Sequence, residues 1–343
     1  MKITEKANEL IQKLMAENPN TKLTIGFLHQ GGMSFKLFDN TGEIPYESHA
    51  YEIASISKVF TASLFAKYLH EGKMNLNDSV AKYIPELEED KYYPTLRRLA
   101  THTAGYKSEA LTSWEIVKVI FKACQQHIRK KPSGYFDAFG KVDYEKLVWF
   151  AKKNKLIDKD YDWGYTDYSI ALLGEAVCQT VGKPYPELMA EFLENDLGLT
   201  NTKTITDRPD MLDGYLYNHN VGTMKLYRSD DYAAPAGGLT STVEDLLKFA
   251  KMNIEETPSY LALTHEAYPT SQKGFDMGLG WWNWNEQQYP THGHTGGSEG
   301  FSSALTFIKE LEAATVILTN TGSYHPTELS NEIFQGNLEE QND

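Results

Sequence analysis

The chain has 343 residues, 41% of them hydrophobic and 12% aromatic, which is enough to bury a sizeable core and excludes a disordered polymer. Its 33 Lys and Arg face 47 Asp and Glu, giving a net charge of −14. Such a surface repels phosphate backbones, so no nucleic-acid partner is expected. The one basic run, Arg129-Lys130-Lys131, ends in Pro132 and reads as a solvated helix end.

In chain order, the first twenty residues lack the apolar stretch of a signal peptide. Ile3, Ala7, Leu10, Ile11 and Leu14 instead fall at helical spacing, which predicts an amphipathic first helix. No run of about 18 or more apolar residues occurs, so no membrane span is expected. As it stands the chain reads as cytoplasmic, with an extracellular placement open if a leader has been trimmed. Leu23–Leu28 and Met33–Phe38, separated by His29-Gln30-Gly31-Gly32, predict a hairpin. Val59, Leu64, Phe65, Tyr68 and Leu69 then mark one broad face of a helix over 55–70. Residues 75–220 read as mostly helical, with clear helices at Ser113–His127, Tyr144–Asn154 and Tyr168–Thr180. Cys124 and Cys178 sit inside two of these patterns and are expected as buried free thiols, without a disulfide framework or CxxC metal site. Ser241-Thr242 caps a helix from Val243 to Met252. Gly278–Trp282, Phe301–Lys309 and Ala314–Asn320 read as antiparallel strands, and a closing helix follows Pro326. Strands at both chain ends and helices between them predict an α+β fold. Its sheet domain is drawn from 1–54 and 221–343, and a mainly helical domain spans 55–220.

Three short motifs carry chemistry. In Ser55-Ile56-Ser57-Lys58, residues i and i+3 share a helical face, so an amine lies within reach of a hydroxyl that needs a base to become nucleophilic. The serine also stands at a first helical turn, where free N–H groups favour developing negative charge. Ser79-Val80-Ala81-Lys82 has the same spacing, but it follows Asn77-Asp78 and reads as a helix cap with a solvated lysine. Tyr165-Thr166-Asp167 opens the helix Tyr168–Thr180; a tyrosine beside an ammonium can have its pKa lowered enough to act as a base. His294-Thr295-Gly296-Gly297 runs towards the strand near Phe301. Its glycines would let backbone approach a substrate, and the Gly297 N–H could join that of Ser55 as an oxyanion hole. His29 and His70 share the His-x-Gly spacing and read as structural. His292 and His294 form a His-x-His on a strand, but no carboxylate or cysteine nearby in sequence completes a metal site.

These elements, in this order, resemble the serine β-lactamase and penicillin-binding-protein superfamily, in the branch of class C β-lactamases, D-amino-acid peptidases and related esterases. The likeness covers about residues 23 to 325. It includes Leu99–Gly105 (LATHTAG), Leu172-Leu173-Gly174, Ala234–Leu239 (APAGGL) and Gly293–Phe301 (GHTGGSEGF). It implies a five-stranded antiparallel sheet flanked by helices, an inserted helical domain, and an active site at their junction. No cofactor and no metal is implied. Ser55 carries over as nucleophile, Lys58 and Tyr165 as the proton-handling pair, Ser55 and Gly297 as oxyanion donors, and His102 as a structural residue. Asp167, His294, Thr295 and Gly296 carry over as substrate-orienting residues.

Two departures bear on substrate. Asp167 stands where the family has asparagine; ionised aspartate accepts hydrogen bonds but cannot donate them. Its charge is expected to keep Lys58 protonated, favouring Tyr165 as base, and to turn preference towards substrates with a free amino group. His294 replaces a lysine and offers less to a substrate carboxylate, because histidine is mostly neutral near pH 7. The expected activity is therefore a serine hydrolase on small peptide or amide substrates, D-stereospecific peptidase or amidase first, with carboxylesterase or β-lactamase as alternatives. An acylated, penicillin-recognising binding domain without turnover is the non-enzyme alternative.

Overall fold

The computed structural model describes residues 1–88, 90–107, 109–159, 161–204, 208–223, 231–285 and 288–338. The chain opens with α1 (Glu5–Glu17), β1 (Leu23–His29), β2 (Gly32–Asp39), β3 (Gly42–Ile44) and β4 (Tyr51–Glu52). Six helices follow: α2 (Ser57–His70), α3 (Leu96–Ala100), α4 (Ser113–Arg129), α5 (Tyr144–Lys153), α6 (Asp167–Val181) and α7 (Tyr185–Glu191). A small hairpin, β5 (Gly214–Leu216) and β6 (His219–Gly222), leads to α8 (Ala234–Gly237), β7 (Thr240–Ser241), α9 (Val243–Glu255) and α10 (Ala262–His265). The chain ends with β8 (Asp276–Met277), β9 (Trp282–Trp284), β10 (Thr291–Gly297), β11 (Ser302–Ile308), β12 (Ala313–Thr319) and α11 (Thr327–Leu338).

The main sheet is antiparallel in the order β3-β2-β1-β12-β11-β10-β9-β8. It has eight strands where five were expected. The five long ones, β1, β2, β10, β11 and β12, have seven or eight residues each, and the additions β3, β8 and β9 have two or three. Pairing of β1 with β12, in register from Leu23↔Thr319 to His29↔Ala313, joins the two chain ends. The sequence AATVILT of β12 is buried at every position, because helices cover both faces and alternate residues point to opposite sides. Ala313 and Ile317 pack with Ile11 of α1 and Ile333 of α11. Val316 and Leu318 point the other way, into a core that reaches through Phe60 of α2 and Leu172 of α6 to Phe192.

Helix α2 lies at the centre of that core. Every residue from Ser57 to Ala66 is buried, so the single apolar face read from the sequence becomes burial all round. Two further expectations change. Gly278–Trp281 is not strand: the Leu279 N–H donates to Thr264 O and the Gly280 N–H to Ala100 O, and Gly280 takes φ 75. Cys178 is buried but Cys124 is exposed, because α4 turns its apolar side outward. The hairpin of β1 and β2 and the helix capped by Thr242 form as read.

Gly26 shows how tightly α9 lies on the sheet: a Cβ there would stand 2.5 Å from Val243 Cγ2 and 3.0 Å from Leu247 Cδ1. Gly26→Ala should therefore lower stability by about 1–3 kcal/mol through overpacking, measured by urea denaturation. An unchanged midpoint would refute this packing.

Candidate active site

Ser55 is placed by a strained turn. β4 pairs with β7, and the Ile53 N–H donates to Leu239 O at 3.1 Å. Ala54 then adopts the left-handed region at φ 44, which costs a non-glycine residue about 1–3 kcal/mol. A turn of 3-10 helix, Ala54–Ile56, carries Ser55 into α2. Ser303 Oγ donates to Ile53 O at 2.9 Å, and the Leu239 N–H donates to Ser57 Oγ at 3.0 Å. These bonds hold the turn from both sides of the serine.

Lys58, one helical turn on, has a fully buried side chain. Its Nζ lies 2.9 Å from Ser55 Oγ, 2.8 Å from Ala236 O and 2.6 Å from Asp167 Oδ1. These acceptors, with the Tyr165 hydroxyl nearby, take up the three donors of an ammonium group. Burial opposes the charge, but Asp167 and then Tyr165 outweigh it, and the Lys58 pKa is raised. The expectation that Asp167 keeps Lys58 protonated thus has a geometric basis. Its companion, a lowered tyrosine pKa, does not hold for the free site. Lys58 lies 4.8 Å from the Tyr165 ring centroid, and the hydroxyl interacts with both Ser55 and Lys58. Yet burial raises the Tyr165 pKa; Lys58 lowers it, Asp167 raises it, and the net shift is upward. The physical reason is first the burial of the ring, which penalises a phenolate, and then Asp167, which offsets part of the Lys58 charge. At rest the site holds the Lys58 ammonium, paired with Asp167, beside a neutral phenol.

Glu109, which the sequence reading did not single out, completes the electrostatics. Thr166 caps α6 through Ser169 N, and the Glu109 carboxylate accepts from the next two N–H groups, Asp167 at 2.9 Å and Tyr168 at 2.8 Å. Burial and the nearby Asp167 charge push the Glu109 pKa up to about 7. A cavity of about 20 Å³, room for roughly one water, lies between Glu109, Asp167, Phe139 and Gly140. No local motif announces Glu109, because its partners lie 58 and 59 residues away.

The strand motif lies alongside Ser55, with its glycines in unequal roles. A Cβ on Gly296 would stand 2.1 Å from Ile53 O, so this glycine admits the serine-bearing turn rather than a substrate. Around Gly297 nothing lies within 4 Å of an added Cβ, and its exposed backbone is the part open to the cleft. His294 is buried, and burial followed by the Lys58 charge lowers its pKa to about 3. Its Nδ1 lies 2.6 Å from Thr295 O; a carbonyl only accepts, so Nδ1 carries the proton. Nε2 is left as a buried lone pair without a hydrogen-bond partner. His294 thus presents an acceptor, where a lysine would present a cation. Tyr165 is enclosed by His102, His294 and Trp282, with ring centroids at 4.6, 6.1 and 6.3 Å. His102 Nδ1 also accepts from the Thr166 N–H at 3.5 Å. The second Ser-x-x-Lys is a cap: Ser79 Oγ accepts from Ala81 N, and Lys82 pairs with Asp78. His292 lies 2.8 Å from Asn283 Oδ1 through Nδ1.

Because the folded pKa of Glu109, about 7, lies above its ordinary 4.5, its stabilising contribution is full at low pH and is lost between about pH 4.5 and 7. The Tm of Glu109→Gln should therefore gain on that of the wild type as pH rises through this window. Thermal melts at closely spaced pH values check it; a difference in Tm that stays constant with pH would refute the assignment.

Residues 39–336 match the family model described as Beta-lactamase. The chain is 25% identical over 293 residues to a β-lactamase of Pseudomonas fluorescens, covering 81% of this chain and 74% of that one. It is 24% identical over 307 residues to the D-alanyl-D-alanine-carboxypeptidase/endopeptidase AmpH of Escherichia coli K12, covering 81% and 72%. Two further curated relatives are matched over about half of their own length. Among solved structures, a β-lactamase/D-alanine carboxypeptidase from Pseudomonas syringae superposes with a TM-score of 0.76 at 22% identity, over 96% of this chain and 98% of that one; at that identity the likeness shows the fold alone. With the family model matching most of its length, this chain belongs to the β-lactamase family.

Proposed function

We propose that this family member is a serine hydrolase acting through an acyl-enzyme on Ser55, and that its substrates are small peptides or amides cleaved D-stereospecifically. The observation that carries the reading is the buried Lys58 ammonium, held 2.9 Å from Ser55 Oγ and 2.6 Å from Asp167 Oδ1. The kinship with a carboxypeptidase/endopeptidase supports peptide chemistry.

In the proposed reaction the Ser55 oxygen attacks the carbonyl carbon while its proton passes to the deprotonated form of the Lys58–Tyr165 pair. The N–H groups of Ser55 and Gly297 receive the oxyanion. The C–N bond then breaks, and the departing amine takes the proton back. Water repeats the sequence on the acyl-enzyme and frees the acid. Both members of the pair are protonated at rest, so the reactive form is a minor one and the rate should rise with pH. Neutral His294 and anionic Asp167 turn the site away from substrates recognised by a carboxylate.

Two experiments test this. A fluorophosphonate should label Ser55, as mapped by mass spectrometry, and Ser55→Ala should lose labelling and more than about 10⁴-fold in kcat/KM. Labelling elsewhere would refute the nucleophile, and a burst without turnover would leave only an acylated binding domain. In Asp167→Asn the carboxylate that raises the pKa of both Lys58 and Tyr165 is gone. The rising limb of kcat/KM should therefore move to lower pH by about one unit or more, and preference for D-aminoacyl over N-acylated esters should fall. Unmoved limb and preference would sink the role of Asp167; a wild type that favours N-acylated esters or penicillins would establish an esterase or a β-lactamase.

A further inference from the structure

Helix α4 is mounted the wrong way round for a globular core. Trp114, Val117, Phe121 and Ile128, at i, i+3, i+7 and i+14, form one stripe, and Ile120 borders it. Their exposures are 80%, 54%, 58%, 78% and 58%, and no residue of the helix is buried. The half-buried side that faces the body carries Glu115, Gln126, and the small apolar Val119 and Ala123. Glu115 accepts from Lys146 at 2.8 Å and closes a capping box with Thr112, and Gln126 Oε1 accepts from Ser133 Oγ at 3.3 Å. The outward apolar stripe is therefore the face left for a partner.

The charge around the stripe identifies that partner. Residues 113–131 carry Lys118, Lys122, Arg129, Lys130 and Lys131 against Glu115 alone, a local charge of +4 in a chain of −14. Glu115 is already paired with Lys146, and none of the five cations is in an ion pair among the described residues; Lys130 lies over the Tyr217 ring. Lys118, Lys122 and Arg129 run along one flank of the stripe. The expected solvated helix end thus borders a large exposed apolar strip with a tryptophan and a phenylalanine on it. A second copy docking through the same stripe would oppose +4 to +4. An anionic lipid surface complements both the charge and the apolar strip, and the remaining acidic surface is screened beyond roughly 10 Å.

We propose that α4 is an in-plane, interfacial helix through which this protein docks on an anionic membrane surface. It lies on the bilayer and does not span it; no helix among the described residues is long and apolar enough to cross. The start of α4 lies close in sequence to the candidate site. Thr112 caps α4 three residues after Glu109, whose carboxylate holds the start of α6.

Co-sedimentation with vesicles of equimolar phosphatidylglycerol and phosphatidylcholine, against pure phosphatidylcholine, tests the proposal. The intact protein should bind the anionic vesicles and release in high salt. Its fluorescence should shift to the blue, and the shift should be absent in Trp114→Phe. Lys118→Glu/Arg129→Glu/Lys131→Glu should partition more than about tenfold less, and so should Phe121→Ser/Ile128→Ser. All these sites are exposed, so thermal melts should match the wild type. Equal partitioning onto both vesicles, or binding that survives both variant sets, would overturn the proposal. So would a monomer that ignores lipid, or self-association in light scattering that Phe121→Ser/Ile128→Ser abolishes.

Discussion

The burial of the Lys58 ammonium is the constraint on which the site depends. A lone charge in such a place is costly to desolvate, and the fold meets that cost with three acceptors drawn from three elements. Ser55 comes from the turn before α2, Ala236 from α8 and Asp167 from the start of α6. Each must be in place before the ammonium is tolerated, so the ion pair ties the relative positions of those elements to the chemistry. Close packing reinforces it. Gly174 of α6 lies so near Pro235 that an added Cβ would stand 2.5 Å from its Cγ, and the next carbonyl, of Ala236, accepts from Lys58.

The same interaction sets the resting protonation of its neighbours. Asp167 holds Lys58 charged, burial and then Asp167 outweigh Lys58 at Tyr165, and Lys58 adds to the burial that keeps His294 and His102 neutral. Glu109, beside Asp167, is pushed towards neutrality as well. Asp167 thus acts directly on Lys58, Tyr165 and Glu109, while burial is the larger cause of neutrality at the two histidines.

Sheet and helices divide the remaining work. The long central strands give β10 a rigid edge beside the serine turn, and Gly296 and Ser303 lock that turn through the Ile53 carbonyl. Helix α4 adds no buried residue to the core; its large apolar residues face away from a body already packed by α5 and α6. A local amphipathic pattern records only that a helix has two faces. Which of them turns inward depends on what the rest of the chain leaves uncovered.

The sequence alone determined what is written in local spacing. Period-two and helical patterns yielded the β1–β2 hairpin and the helices, the Ser-x-x-Lys spacing placed an amine by a hydroxyl, and the order of the motifs pointed to the family. Three long-range arrangements were decided only in the tertiary structure. Glu109 meets the start of α6 across 58 residues, Gly296 makes room for a carbonyl from the opposite end of the chain, and Cys124 faces solvent on the outward side of α4. The balance of charge on Tyr165 belongs with them. Its sign depends on how deeply the ring is buried and how closely Asp167 approaches Lys58, and both are distances between segments that no local pattern encodes.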